Sequence, residues 1–296
     1  MKRPFTAIVI GILVLLVVLI ALTTGVSLFL NEAPVVSADK IALIKIDGLI
    51  LDSQDVIDQL TKYSKNSSVK AIVLRIDSPG GAVVPSQEIY EEVKKVRAKN
   101  QKVITSMGTV AASGGYYIAS ASDKIMANPG TLTGSIGVIM EFASVEQLMD
   151  KIGVKSEVIK SGARKDVGDP MRTMTADEKD YLQRVINDVH DQFVTAVAEG
   201  RHMDKAKVWS LADGGIFTGR QAKELGLVDE LGDQEDAVRL AARMCNIQGE
   251  PKVITEEKKT SFLDLIRGKE DVGNLFRGMM PKNLQSLMYV FAPQVK

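Results

Sequence analysis

Apolar and polar positions divide the chain into segments of unlike rhythm. From Phe5 to Leu30 there are 26 residues without a charge. At about 1.5 Å per helical residue such a run crosses the ~30 Å hydrocarbon core of a bilayer. Lys2 and Arg3 precede it, which predicts a cytoplasmic N-terminus and an exported remainder. A cleaved signal peptide is the competing reading, with Val36-Ser37-Ala38 as its cleavage site. A signal core is ordinarily about 7–15 apolar residues, so the run is too long for one. Residues 1–30 are therefore predicted as cytoplasmic tip and transmembrane anchor, and 31–40 as a linker.

Beyond the linker the rhythm alternates. Strands are predicted at residues 41–46, 71–76, 103–106, 124–127, 136–140 and 156–159, and helices at 53–63, 85–99 and 114–121. Strands alternating with helices imply parallel pairing and an α/β architecture. A long helix is predicted over residues 176–199, where Thr175 and Glu178 form a capping box. Its apolar face is Leu182, Val185, Ile186, Val189, Phe193, Ala196 and Val197. The main domain is placed at 41–250. The tail, 251–296, differs in carrying 8 Lys/Arg against 5 Asp/Glu after Pro251. There Leu284, Leu287, Met288 and Phe291 follow the spacing of an amphipathic helix, read as packing on the domain or on a neighbouring subunit.

Composition narrows the chemistry. With 37 basic and 37 acidic residues the chain has no basic excess to suggest nucleic acid. The lone Cys245 excludes an intramolecular disulfide framework and a Cys-rich zinc site. His190 and His202 leave little for a metal centre or a Ser-His-Asp triad. His190 falls on the apolar face of the long helix, and His202 follows Gly200 at its end.

Two glycine-rich turns at strand ends are where ligands meet an open parallel sheet. In Asp77-Ser78-Pro79-Gly80-Gly81-Ala82, adjacent glycines allow inward-facing N–H groups, as an oxyanion hole requires; a plain tight turn has the same composition. In Gly108-Thr109-Val110-Ala111-Ala112-Ser113-Gly114-Gly115, Ser113 stands at a strand-to-helix junction. That place suits a hydroxyl nucleophile and equally an N-cap. Neither loop has the Gly-Lys-Ser/Thr ending of a phosphate loop. A lysine base must be neutral, and the free side chain, with a pKa of ~10.4, rarely is near pH 7. Spacing does not separate Lys165 from Lys160 or Lys155 for that role.

The run Ser106-Met107-Gly108-Thr109-Val110-Ala111-Ala112-Ser113-Gly114-Gly115-Tyr116-Tyr117-Ile118-Ala119 resembles the nucleophile segment of the signal peptide peptidase A family, short form. Asp77-Ser78-Pro79-Gly80-Gly81, Thr133-Gly134-Ser135-Ile136-Gly137-Val138, Ile159-Lys160-Ser161-Gly162 and Phe217-Thr218-Gly219-Arg220-Gln221-Ala222 match it in the same order, followed by Leu225-Gly226-Leu227-Val228-Asp229. The resemblance covers roughly residues 40–245. It implies a membrane-anchored Ser/Lys peptidase with the Clp protease/crotonase spiral of repeated β-β-α units after one transmembrane helix. Ser113 then stands at the nucleophile, Lys165 at the general base and Ser135 at the hydroxyl that orients the lysine. Gly80, Gly81 and Gly114 stand at the oxyanion hole. Gly168-Asp169-Pro170 departs from the pattern, since a small hydroxyl residue is expected before the proline.

The resemblance also implies peptide substrates, chiefly cleaved signal peptides left in the membrane, and a homo-oligomer assembled as a dome-shaped octamer. It implies no cofactor, metal or nucleic acid. It places the chain in the bacterial inner membrane with its catalytic domain on the exported side. A Clp-class peptidase acting on particular membrane proteins would share the dyad, and a non-catalytic scaffold of the same fold would dispense with it. A crotonase-type acyl-CoA enzyme shares the spiral, but an exported site lacks a supply of the thioester.

Overall fold

The computed structural model of the protein describes residues 13–21, 39–256 and 288–290. Residues 13–21 are a helix (α1) with exposed side chains, in a unit separate from the one that begins at Lys40. Among the described residues no helix is long and apolar enough to cross a membrane. Most of the apolar run 5–30 lies outside them.

The second unit opens with β1 (Lys40–Asp47), whose residues Ile41 to Ile44 are buried without alternation. That pattern belongs to a strand covered on both faces. It is followed by α2 (Gln54–Ser64), β2 (Val69–Ser78), β3 (Gly80–Ala82), α3 (Val83–Ala98), β4 (Lys102–Ala112) and α4 (Gly114–Ser120). Next come β5 (Lys124–Ala127), β6 (Leu132–Gly134), α5 (Glu146–Lys151), α6 (Ala176–Arg201) and α7 (Lys205–Trp209). The unit ends with β7 (Ile216–Thr218), α8 (Gly219–Leu225), β8 (Glu230–Leu231), α9 (Gln234–Met244), β9 (Lys252–Thr255) and β10 (Met288–Val290).

Among the described residues, eight strands form one sheet in the order β7-β6-β4-β2-β1-β9, with β5 joining β4 to β8. All pairs are parallel except β6 with β7, so the sheet is mixed. The two faces follow the period-two alternation of the strands. Ala42, Ile44, Ile72, Leu74 and Ile76 pack under α2, α3, α4 and α6. Ile41, Leu43, Ala71, Val73 and Ile104 pack against α9. Tyr90 of α3, Tyr117 of α4 and Phe193 of α6 stack with ring centroids 4.9 and 5.0 Å apart, clamping α4 between two longer helices. The predicted capping box of the long helix is present, Glu178 N–H donating to Thr175 Oγ1.

Several expectations are corrected. β4 does not stop at Ser106 but runs to Ala112, because β6 supplies a second partner for its far half. Residues 136–140 hold a single bridge residue and 156–159 none. Neither segment extends into a strand, and Ile139, Val158 and Ile159 remain exposed. In the tail, residues 252–255 are an edge strand of the sheet, beside β1. Met288, expected on an amphipathic helix, opens a strand instead, because β3 offers it a backbone edge. Leu284, Leu287 and Phe291 lie outside the described residues.

Candidate active site

The site is built on β4. Its first half pairs with β5 through Ile104, Thr105 and Ser106, its second half with β6 through Val110, Ala111 and Ala112. Between the halves the register against β2 shifts, from Ile76 opposite Met107 to Ser78 opposite Ala111. β4 therefore bulges by two residues, which re-aims the strand. Asp77 fills the bulge: Val110 N–H donates to its Oδ1 at 3.0 Å. Gly108 is required there, since a Cβ at that position would lie 2.6 Å from Asp77 Cγ. Thr131 Oγ1 closes the far side by donating to Gly108 O at 2.7 Å. Arg75 Nη1 holds the near side, donating to Met107 O at 2.9 Å.

Ser113 follows this bulged strand directly. Its φ of 54° and ψ of −117° lie outside the range of an ordinary N-cap, and its side chain makes no capping hydrogen bond to α4. The cap reading of the sequence is thereby set aside. The backbone is gripped on both sides, with Ser113 N–H donating to Gly134 O and Tyr117 N–H donating to Ser113 O, each at 2.8 Å. The residue is 1% exposed, and among the described residues its Oγ has no hydrogen-bond partner. A positive φ costs on the order of 1–3 kcal/mol, and an unsatisfied buried hydroxyl about 1–3 more. A strand–turn–helix elbow that holds a strained serine is the geometry in which a hydroxyl is kept ready to attack.

Ser135 is brought beside it. Gly134 is paired with Ala112, so the turn carrying Ser135 starts where Ser113 starts. Ser135 has a φ of 50°, and its N–H donates to Gly215 O at 2.7 Å. Gly80 (φ 105°) and Gly81 lie on the opposite flank. Gly115 is what lets α4 approach them, because a Cβ there would sit 3.2 Å from Ser78 O. Gly80 N–H is engaged by Ser78 Oγ at 3.1 Å. Gly114 is the first residue of α4, where a backbone N–H has no acceptor within the helix. Gly81 touches the backbone of Ile50, and a Cβ there would lie 2.0 Å from Ile50 O.

Lys165 is placed differently. It lies in an irregular segment between α5 and α6, exposed, and among the described residues its side chain has no hydrogen-bond or ion-pair partner. Since Ser113 Oγ has none either, the two are not bonded within the chain. Its neighbours are pinned to the start of α6. Arg172 Nε donates to Asp166 Oδ2 at 3.1 Å and Nη1 to Glu178 Oε2 at 2.9 Å, while Lys160 pairs with Asp166. Lys160 and then Arg172 hold the Asp166 carboxyl down at about 2, and Arg172 does the same to Glu178. Asp169, the departure from the expected pattern, turns its Oδ1 to Met171 N–H at 2.8 Å and not to Lys165.

Neither histidine bonds to Ser113 Oγ. His190 packs edge-on against Trp209 with centroids 4.8 Å apart, and His202 ends α6 in the left-handed conformation.

The pattern of peptidase family S49 matches residues 95–248, and that of Clp protease matches residues 43–133. The chain belongs to peptidase family S49. A candidate protease of Synechocystis sp. is 46% identical over 209 residues, 70% of this chain and 75% of that protein. A candidate signal peptide peptidase, SppA, of Enterococcus faecium is 39% identical over 215 residues, covering 68% of this chain and 62% of that protein. Protease 4 of Salmonella typhi is 32% identical over 266 residues, which make up 87% of this chain but 42% of that protein. This S49 member is thus SppA-like. It is a serine peptidase of the Ser/Lys type, on an α/β fold of the Clp protease/crotonase type with a mixed sheet.

Two features of the site escape a reading of the sequence. Asp77 looks like the residue that ends a strand, whereas its carboxylate shapes the next strand. Gly108 was a signal for this, since a glycine inside a strand marks a bulge or a close approach. The pairing of residues 288–290 with Gly80, Gly81 and Ala82 had no signal, because nothing in the tail's composition names its partner.

Proposed function

We propose that this S49 peptidase is an endopeptidase in which Ser113 is the nucleophile and Lys165 the general base. The observation that carries the reading is the strained, buried and unpaired Ser113 Oγ at the elbow between β4 and α4. Neutral Lys165 takes the Ser113 proton as Oγ attacks a peptide carbonyl, then returns it to the leaving amine. Water clears the acyl-enzyme. Ser135 orients the lysine. The oxyanion is held by Gly114 N–H and, once the Ser78 hydroxyl turns away, by Gly80 N–H, with Gly81 shaping the loop. Each such donor contributes about 3 kcal/mol to the transition state.

Because Lys165 is exposed and unbonded to Ser113, closing the dyad requires the segment that carries it to be docked by assembly. Ile139, Leu148, Ile152, Val154, Val158 and Ile159 are exposed along that region, an apolar surface suited to burial between subunits. We read the working form as a homo-oligomer, an octamer on the family's plan, with the β-β-α spiral in each subunit. The apolar run 5–30 anchors it in the bacterial inner membrane, N-terminus cytoplasmic and catalytic domain exported. Its substrates are then cleaved signal peptides in the bilayer, with other short or unfolded polypeptides.

The test compares wild type, Ser113→Ala and Lys165→Ala on a fluorogenic peptide and a synthetic signal peptide, with sedimentation to report assembly. Loss of hydrolysis in both variants at unchanged assembly supports the dyad. An active Lys165→Ala moves the base elsewhere, and a wild type inert on both substrates indicates a scaffold.

A further inference from the structure

Ser78 is fully buried, and a buried hydroxyl must find hydrogen-bond partners. Its Oγ bonds to a single residue: Gly80 N–H donates to it at 3.1 Å, and it donates to Gly80 O at 3.3 Å. A serine bonded to the N–H two residues on ordinarily fixes the shape of a turn. Here the shape is held from elsewhere. Ile50 N–H donates to Gly80 O at 3.0 Å and Ala82 N–H to Ile50 O at 2.8 Å, while the ring of Pro79 sets the backbone before Gly80. The Ser78 bond adds little to that hold, yet it takes up the Gly80 N–H.

That N–H lies beside the elbow. Ser78 is opposite Ala111 in the pairing of β2 with β4, and a Cβ on Gly115 would sit 3.2 Å from Ser78 O. Ser113 stands midway between Ala111 and Gly115 in the chain. A developing oxyanion on a substrate at Ser113 and the Ser78 hydroxyl therefore call on the same donor. We propose that Ser78 is a latch on the oxyanion hole: at rest its Oγ fills the place of the oxyanion, and the donor is released when the hydroxyl swings to Gly80 O alone. The hydroxyl keeps a partner in both positions, so neither leaves it orphaned in the core. Ser78 is then a positioning residue that acts through Gly80, and the inference rests on the reading of Ser113 as nucleophile. One net hydrogen bond keeps the donor closed by about three- to tenfold, and the apparent affinity for a tetrahedral adduct falls by that factor.

The test titrates a peptide aldehyde, and the peptide alcohol of the same sequence, into the full chain. With the aldehyde, Ser113 Oγ bonds to the carbonyl carbon, the π pair moves to oxygen and the serine proton passes to Lys165, so the adduct carries the oxyanion. The alcohol forms no such bond. Ser78→Ala should bind the aldehyde about three- to tenfold more tightly than wild type does, with affinity for the alcohol unchanged. Ser78→Cys keeps a side chain of similar reach but a weaker acceptor, and should shift the aldehyde the same way by less. It carries the test alone where thermal melts show that Ser78→Ala does not fold. An aldehyde-to-alcohol affinity ratio no greater than that of wild type, in a folded variant, overturns the inference, because the hydroxyl then only shapes the loop. Aldehyde binding as tight in Ser113→Ala as in wild type overturns instead the nucleophile assignment.

Discussion

The elbow at Ser113 and the segment around Lys165 are made by opposite means. Ser113 is fixed from every side, by the bulged β4, by Gly134 across the sheet, and by an α4 whose residues are all buried. Lys165 sits on an irregular, exposed stretch tied to α6 by part-buried side-chain ion pairs. The comparison teaches how the work is divided. A strained backbone persists only where the surrounding core over-determines it, so the Ser113 elbow is built by folding. Among the described residues the Lys165 side chain has no hydrogen-bond or ion-pair partner, so on the proposed reading its placement is left to assembly.

Perturbing the two regions should therefore give different signatures. The largest effect is expected from Ser113→Ala, which should lower kcat by about 10³-fold or more. Thermal unfolding should show stability held or raised, because an unsatisfied buried hydroxyl is removed. A variant with lost activity and collapsed stability would mean that Ser113 is structural.

Next comes the bulge. Gly108→Ala pushes a methyl group into Asp77, for which about 1–3 kcal/mol of destabilisation is expected, together with loss of kcat as Ser113 is re-aimed. Asp77→Ala should lose about 1–3 kcal/mol by orphaning Val110 N–H, and Asp77→Asn, which keeps an acceptor there, should recover most of it. Denaturant melts and kcat on the same samples check both. Equal behaviour of the Ala and Asn variants would show that the acceptor is not what shapes β4.

On the Lys165 side, Arg172→Ala should cost about 1–3 kcal/mol and lower activity. It leaves the buried Glu178 carboxylate without its cation and frees the segment that carries Lys165. Peptide hydrolysis and calorimetry separate the two, and an unchanged rate would detach this network from the dyad.

The smallest effect concerns pH. Asp166 and Glu178 have folded pKa values of about 2, below the ordinary carboxylate range, Asp166 through Lys160 and Arg172, and Glu178 through Arg172. Their depressed values make the contribution to folding full above about pH 4 and lost as pH falls toward 2. Hydrogen exchange should thus show residues 160–178 loosening in that window while β4 stays protected. Simultaneous loosening of both would erase the distinction between the regions.

Much of the frame was legible from one-dimensional pattern. The buried runs at 41–46 and 71–76, the amphipathic spacing of the long helix and its capping box are local signals, and the strands and helix they predict are present. Residues 136–140 and 156–159 failed for the complementary reason. Their β propensity is real, but a strand exists only where an edge is free to pair, and that is a fact about other parts of the chain. Ser113 lay between these cases. A serine between a strand and a helix reads alike as cap and as nucleophile, and the sign of φ and the fate of Oγ remove the first reading.

By itself, then, the sequence determined the α/β alternation, the glycine positions where backbones must approach, and the short list from which the dyad is drawn. Each of these is written in neighbouring side chains and in the space they require. Tertiary structure alone decided that Asp77 bends β4 and that residues 288–290 lie on the free edge of β3. It also decided that Ser113 is buried while Lys165 is exposed, with no hydrogen bond between them. These are contacts between segments far apart in the chain, fixed by which edges and faces remain open once the sheet has formed.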